Sequence, residues 1–487
     1  MSWLSKQISF LNRMSVIAFV DLLLASSVPG QTVPASPAHA WHASAEFSMK
    51  EDVARAVDSR FTVDQSKTYS LAELIDLAQA HNPATRAAWE RARSQAAVLG
   101  IARSELYPTL AAAAISQTEG AQAFFGDRFH GQTIQSFQLA LDLNYTVFDF
   151  GARSGRIDAA RARLLSANFA FNDTHRSVID QVEQAYYRLL NSIGQEDSAQ
   201  ASLANAKAVE QAAQERLTNG LATLPDVLEA RSATAQAEYD LQSALGAEEI
   251  ARGDLATAVG TSATVAIRVQ PLDQLPTPDS ISETVEETIN RAFAQRPDLM
   301  QQAAEIRSSN ARLKEARAAY YPTLGVNASP AIPSLYGIQQ PFHWSHTADL
   351  TGSLSFNLNW TVFDGGARKG SVAQAQADIR AAEAQTNLKK NQISDEVWTA
   401  YSNLNTAFRQ RRAAVALFEA ANQSYSAALE SYKYGLRNLL DVTAAQRSLA
   451  QARSADVFAR TQVLTTLADL AFTTGDSIKT HKGTSHP

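Results

Sequence analysis

The sequence contains no cysteine among its 487 residues. That excludes disulfides, thiolate metal sites, a cysteine nucleophile and the lipid-modified cysteine that anchors some exported bacterial proteins. Long apolar runs are missing too. Beyond the first thirty positions no stretch of 18 or more uninterrupted apolar residues occurs, so no helical membrane anchor is expected. Nor is there an excess of positive charge: 43 Lys and Arg stand against 49 Asp and Glu, for a net charge of −6 without a strongly basic tract. Nothing points to nucleic acid. Catalytic motifs are also lacking. Neither H-E-x-x-H nor G-x-S-x-G occurs, and Gly365-Gly366-Ala367-Arg368-Lys369-Gly370-Ser371 resembles a phosphate loop only superficially, because no lysine follows Gly370. No enzyme activity and no cofactor is expected. His343-Trp344-Ser345-His346 is a loop segment with two imidazoles, and no metal site is expected there.

What is present begins with a targeting segment. Lys6 and Arg13 precede the apolar run Val16 to Ala25, which Asp21 interrupts, and Ala38-His39-Ala40 offers a small-residue cleavage site, with a second at Ala43-Ser44-Ala45. Residues 1–40 are therefore expected to be a signal peptide and 41–68 the leader of the exported chain.

The remainder is an internal duplication. His81-Asn82-Pro83 returns 214 residues later as Gln295-Arg296-Pro297, and Tyr107-Pro108-Thr109-Leu110 returns at the same lag as Tyr321-Pro322-Thr323-Leu324. Tyr145 to Arg153, reading Y-T-V-F-D-F-G-A-R, returns 215 residues later as Trp360 to Arg368, W-T-V-F-D-G-G-A-R. A lag that drifts by one residue across the whole repeat means two copies of one long unit, 69–268 and 281–475. Between them lies a linker, 269–280, carrying Pro271, Pro276 and Pro278. A short tail, 476–487, follows.

Each unit opens on a helical pattern, Leu71 to Arg103 or Ile281 to Ala319, which the Tyr-Pro pair stops. From Phe137 the residues alternate, with Leu139, Leu141, Leu143, Tyr145 and Val147 on one face and Gln138, Ala140, Asp142, Asn144 and Thr146 on the other. Leu354 to Val362 repeats the pattern. Period two over about ten residues fits a strand that crosses a bilayer at a tilt. Shorter partner strands are expected from Thr109 and Thr323, joined by loops carrying Phe124, Phe125 and Phe129, or Tyr336, Phe342 and Trp344. Aromatics at both hairpin ends fit interfacial girdles. Two hairpins give four strands, too few to close a barrel, and an open edge is not tolerated in lipid, so other chains must complete it. After Gly151 and Gly366 the spacing changes to steps of three and four. No proline interrupts 151–224, which at about 1.5 Å per residue predicts roughly 100 Å of helix. The expected fold is an α+β membrane protein: hairpins of a β-barrel continued by a long α-helical coiled coil, internally duplicated.

The long helices reverse at Gly220-Leu221-Ala222-Thr223 and at Gly435-Leu436, and Asp226 or Asp441 follows each turn. These aspartates suit helix capping. Around a three-fold axis they also suit rings of like charge that attract cations, with Tyr432 and Arg437 beside them as parts of a latch.

Tyr-Pro-Thr-Leu before a hairpin, Phe-Asp-x-Gly-x-Arg after it and a Gly-Leu turn followed by aspartate, all present twice, resemble the TolC-like outer membrane efflux protein family from about Tyr69 to Gly475. The resemblance implies a homotrimer with a twelve-stranded outer-membrane barrel above a periplasmic helical tunnel. It implies partners as well: a periplasmic adaptor and an inner-membrane transporter of a tripartite efflux or type I secretion system, with outer-membrane lipid around the barrel. It assigns Asp226, Tyr432, Arg437 and Asp441 to the gate, and Gly220, Leu221, Ala222, Thr223, Gly435 and Leu436 to the adaptor-docking tip. Where some members place a second aspartate one turn later, this chain has Ala444, which implies one acidic ring instead of two. The alternative reading is a soluble periplasmic coiled-coil adaptor.

Overall fold

The computed structural model describes residues 48–52, 61, 63–278, 280–339 and 343–476, and divides the chain into a leading unit, 1–60, and a second unit, 61–487. Of the first unit only a helical turn at 48–52 is described. The expected signal peptide, Phe342 and tail residues 477–487 lie outside the described residues. The second unit runs β1 (Thr68–Tyr69), α1 (Leu71–His81), α2 (Pro83–Ser104), β2 (Thr109–Phe125), β3 (Arg128–Phe148), α3 (Ala152–Thr218), α4 (Leu224–Val259), β4 (Arg268–Val269), α5 (Val285–Gln295), α6 (Pro297–Ala318), β5 (Thr323–Gln339), β6 (Ser345–Ala348), β7 (Thr351–Asn359), α7 (Ala367–Lys433) and α8 (Leu439–Thr474).

The helices begin and end on local chemistry. Ser70 opens α1 with a capping box: its hydroxyl accepts the Glu73 N–H at 3.4 Å and the Glu73 carboxylate accepts the Ser70 N–H at 2.9 Å. The unbroken pattern expected over Leu71 to Arg103 is two helices, because Pro83 disfavours helical backbone at Asn82 (ψ 128°), and Asn82 then caps α2 through the Ala84 N–H at 2.8 Å. Arg296 and Pro297 break the second copy in the same way. Its first helix starts at Val285, not Ile281, because Thr284 and Glu287 form the capping box there. The linker is also partly ordered: β4 pairs in parallel with β1, Tyr69 opposite Val269.

The hairpins are longer than the sequence pattern. β2 and β3 run 17 and 21 residues and meet in a two-residue turn, Gly126-Asp127, with Gly126 at φ 70°. Phe124 and Phe129 lie in the strands themselves, paired edge to face at 5.1 Å. β3 pairs with β5, and β5 pairs with β6 and then β7, which together form one interrupted fourth strand. On the outer face Leu143, Leu141, Leu139 and Phe137 stand opposite Leu110, Ala112, Ala114 and Ser116, and beyond them Gln135 and Thr133 stand opposite Thr118 and Gly120. The apolar band is thus the expected stretch of about eleven residues ending at Phe137. Phe124 and Phe129 lie eight residues further on, roughly 25 Å along a strand, while Phe137 and Tyr336 stand at the end of the apolar band. The opposite face carries Asn144, Asp142, Asn327, Ser329, Ser353, Ser355 and Asn357, with Ser329 donating to Asp142 at 2.6 Å.

Each hairpin turns into helix through its Asp-x-Gly-x-Arg segment. Asp149 accepts the N–H groups of Gly151 (3.2 Å) and Arg153 (2.8 Å), and Asp364 those of Gly366 (3.0 Å) and Arg368 (2.9 Å). The arginines bind back to the same carboxylates and reach the carbonyls of Val147 and Val362, each at 3.2 Å. The second copy has Gly365 where the first places Phe150, which takes a left-handed φ of 52° and stacks on Tyr321.

Below the sheet, α3 and α7 each run 67 residues, about 100 Å. Neighbouring helices follow the order α2–α3–α6–α7 nearer the strands and α4–α3–α8–α7 nearer the tips. The largest core gathers Leu74, Ile179, Tyr186, Leu189, Leu255 and Ile267, all buried, where α1, α3 and α4 meet. Each such side chain contributes about 1.5–3 kcal/mol by leaving water. In the second copy the corresponding level keeps a smaller apolar core, with Ala292, Ile393, Val397, Ala400 and Leu404 buried, and adds a charged cluster. Arg296 binds Asp298 through two bonds (3.0 and 2.7 Å) and Glu396 at 2.5 Å, Lys389 reaches Asp298 at 2.9 Å, and Arg176 donates to the carbonyl of Phe472 at 2.7 Å. Burial opposes the Asp298 charge, yet the Arg296 and Lys389 contacts outweigh it and hold this carboxyl well below the usual range. Among the described residues no helix is long and apolar enough to cross a membrane.

Candidate gate at the helical tips

Both long helices end alike. Gly220 (φ 71°) follows α3 and Gly435 (φ 76°) follows α7, and in each turn the Gly and Leu N–H groups return to helix carbonyls: Gly220 to Leu217 (2.9 Å), Leu221 to Arg216 (2.8 Å), Gly435 to Tyr432 (2.9 Å) and Leu436 to Ser431 (2.8 Å). This is the glycine-terminated closure that a left-handed residue permits. It leaves Leu221 and Leu436 exposed on the turns expected to dock an adaptor, with Leu224 and Leu440 exposed beside them in the first turns of α4 and α8.

The two following helices start differently. Asp226 accepts the N–H and the hydroxyl of Thr223, both at 2.8 Å, and these bonds hold its carboxyl below the usual range. In the second copy Asn438 is the cap and accepts the Asp441 N–H at 2.9 Å. The capping expected of both aspartates is thus performed by Asp226 alone. The Asp441 carboxylate is exposed and, among the described residues, has no hydrogen bond or ion pair.

Tyr432 is 3% exposed, in the core that α3, α4, α7 and α8 share near the tip, with the Arg216 guanidinium as its charged neighbour. Burial pushes the phenol upward, with Arg216 opposing and Asp226 adding to the shift. Arg437 is exposed and, among the described residues, unpaired. The cation beside Tyr432 is instead Arg216, a residue not anticipated from the sequence. Its guanidinium lies 4.8 Å from the Tyr432 ring and donates to the carbonyls of Tyr432 (2.7 Å), Lys433 (3.4 Å) and Leu221 (3.2 Å), so one side chain clasps both turns. A basic residue in the last turn of a helix is a visible signal, but which carbonyls it serves depends on a helix more than 200 residues away. Asp226 and Tyr432 are therefore brought together around Arg216, whereas Arg437 and Asp441 are left on the surface.

Residues 74–261 and 288–476 each match the family described as outer membrane efflux protein. The chain belongs to that family. Among curated relatives, CyaE of Bordetella pertussis is 26% identical over 419 residues, covering 85% of each chain, and the outer membrane protein OprJ of Pseudomonas aeruginosa is 24% identical over 475 residues, covering 94% of this chain and 95% of OprJ. The outer-membrane channel OprN has the same fold, with a TM-score of 0.73 at 20% identity over 85% of this chain and 93% of that one. CmeC of Campylobacter jejuni follows at 0.71, 19% identity, 84% and 86%. An outer membrane efflux protein with this fold is a TolC-like channel subunit. It resides in the outer membrane and extends into the periplasm, and the soluble adaptor alternative is set aside. The family consists of transport channels, not enzymes.

Proposed function

We propose that three copies of this chain close into a twelve-stranded barrel continued by a helical tunnel, and that the assembly passively conducts cargo delivered by a periplasmic adaptor and an inner-membrane transporter. The sheet carries this reading. It ends in β2 on one side and in β6 and β7 on the other, and the outward backbone groups of those edges have no partner among the described residues. In lipid each unpaired group costs several kcal/mol, so the edges must meet those of other copies. Relatives named for both toluene efflux and alkaline protease secretion support a duct whose cargo is set by the transporter. The duct itself performs no chemistry. Detergent-solubilised protein from the outer-membrane fraction should have the mass of three chains by light scattering; a monomer would sink the proposal.

In the assembled tip, Asp441 forms the acidic ring and Asp226, Tyr432 and Arg437 the closing contacts, while Gly220 to Thr223 with Gly435 and Leu436 meet the adaptor. The free carboxylate of Asp441 supports the ring. In planar bilayers Asp441→Ala should raise single-channel conductance or weaken block by divalent cations, and unchanged block at neutral pH would place the constriction elsewhere.

A further inference from the structure

Below the strands the helical wall holds a cavity whose charge differs between the copies. On α3, Arg156 lines one cavity together with Asn144, Asn327 and Asn357 of the polar sheet face. Seven residues make nearly two helical turns, so Arg163 and then Ala170 follow Arg156 along the same side of α3. Both line a second cavity, of about 420 Å³, where α3 is flanked by α2 and α6. Arg91 enters it from α2, and Ala88, Ala167 and Phe171 give it an apolar floor. In the duct proposed above the polar sheet face lines the lumen, so this cavity opens inward.

Its charges are not balanced locally. Nearer the strands, Arg156 is paired with Glu105 at 2.6 Å and with Glu315 at 3.4 Å. Arg91 and Arg163, in contrast, have no hydrogen bond or ion pair among the described residues, and Glu305 of α6, also in the lining, bonds to neither. The fold does not require the two cations. At the equivalent positions, 214 and 215 residues on, the second copy carries Glu305 and Asp378 on helices of the same length. Two cations in one cavity repel each other, and a bound anion relieves that repulsion.

We infer that this cavity binds organic anions in transit, with a carboxylate, sulfonate or phosphate group held by Arg91 and Arg163 and an apolar body lying over Ala88, Ala167 and Phe171. The assignment rests on the proposed duct and names a class of cargo that its wall receives. Guanidinium groups match the oxygens of such anions with paired, charge-assisted hydrogen bonds. The floor takes the apolar body out of water. Glu305 repels further negative charge, which favours an anion with a single charged group.

The probe is naphthalene-1-sulfonate, titrated by calorimetry into protein purified from the outer-membrane fraction in a neutral detergent. Saturable binding that weakens with added salt is expected. Naphthylmethylammonium, an apolar body of the same kind with the opposite charge, should bind at least roughly tenfold more weakly. Arg91→Ala with Arg163→Ala should weaken sulfonate binding by about tenfold or more, at unchanged helix content. Arg317→Ala, which removes an exposed arginine of α6 outside the cavity, should leave it at the wild-type value. Arg91→Glu with Arg163→Asp installs the second copy's residues and should reverse the preference between the two probes. A trimer by light scattering that shows no saturable sulfonate binding, or binds both probes equally, overturns the site but not the duct. Wild-type affinity in the double alanine variant, an equal loss with Arg317→Ala, or an unreversed preference also overturns it. A monomeric mass overturns the duct and, with it, the lumenal position of the cavity.

Discussion

The helices of the two copies agree in length and disagree in how they are fastened. Their helices pair off at 11, 22, 67 and 36 residues, and the turns from strand to helix repeat bond for bond at Asp149 and Asp364. At the junction of the first two helices both copies address the same place on the last helix: Asn82 donates to the Ala258 carbonyl at 3.0 Å, and Arg296 to the equivalent carbonyl of Thr473 at 3.2 Å. One fastening is neutral and self-contained. The other brings a buried charge that recruits Asp298, Glu396, Lys389 and Arg176. Geometry is thus set by the repeat, while the means of securing it is free to vary where the bond is satisfied either way.

The largest test of that difference is Asp298→Ala, which installs the first copy's Ala84 and leaves Arg296 without its bidentate partner. Loss of one member of a buried pair predicts a cost of about 3–5 kcal/mol in unfolding experiments. The double change Arg296→Asn with Asp298→Ala copies the whole first-copy fastening and should recover part of it; a double variant worse than the single one would mean the copies are not interchangeable here. At the tip, Arg216→Ser installs the second copy's Ser431 and removes the clasp between turns. Loss of charge-assisted hydrogen bonds worth about 1.5–3 kcal/mol should shift the closed tip toward open and raise conductance in planar bilayers about tenfold in open probability. Wild-type gating together with an effect of Tyr432→Phe, Arg437→Ser would leave the latch to those residues alone. The smallest effect is expected at Glu183, which the second copy replaces by Trp398. Burial and then the Asp180 charge push this carboxyl up to about 7. A raised acid stabilises the fold fully below its ordinary value of about 4.5 and loses that contribution as pH rises through about 7. Stability should therefore fall by on the order of 2 kcal/mol between pH 5 and 8, and Glu183→Gln should flatten the dependence. Parallel curves for the two proteins would remove the effect from this residue.

Much of this architecture is legible in the sequence because it is periodic or punctuated. Alternation from Phe137 marks the lipid-facing band, Tyr-Pro marks each helix end, and proline-free stretches mark the long helices. What escapes is whatever the partner strand or a distant helix supplies. Gln132, Thr133 and Gln135 have no apolar alternation, and they are strand because β2 and β5 occupy their backbone groups on both sides. Pro83 was visible, but a proline in the first turn both starts and breaks helices, and only the Asn82 cap decides. Arg216 and Arg296 are ordinary basic residues in sequence; their work depends on carbonyls more than 170 positions away.

The lag between copies is 214 residues before the hairpins and 215 after them, so the one length difference falls in the strands and their connection, at the outer end of the molecule. Each residue of an α-helix advances the face by about 100°. An insertion in α3 or α7 would rotate every contact below it off its neighbour, whereas one in a hairpin connection is absorbed locally. The hairpin connections, at the end of the duct that faces out of the cell, are accordingly where an added residue or an inserted tag disturbs the helical contacts least.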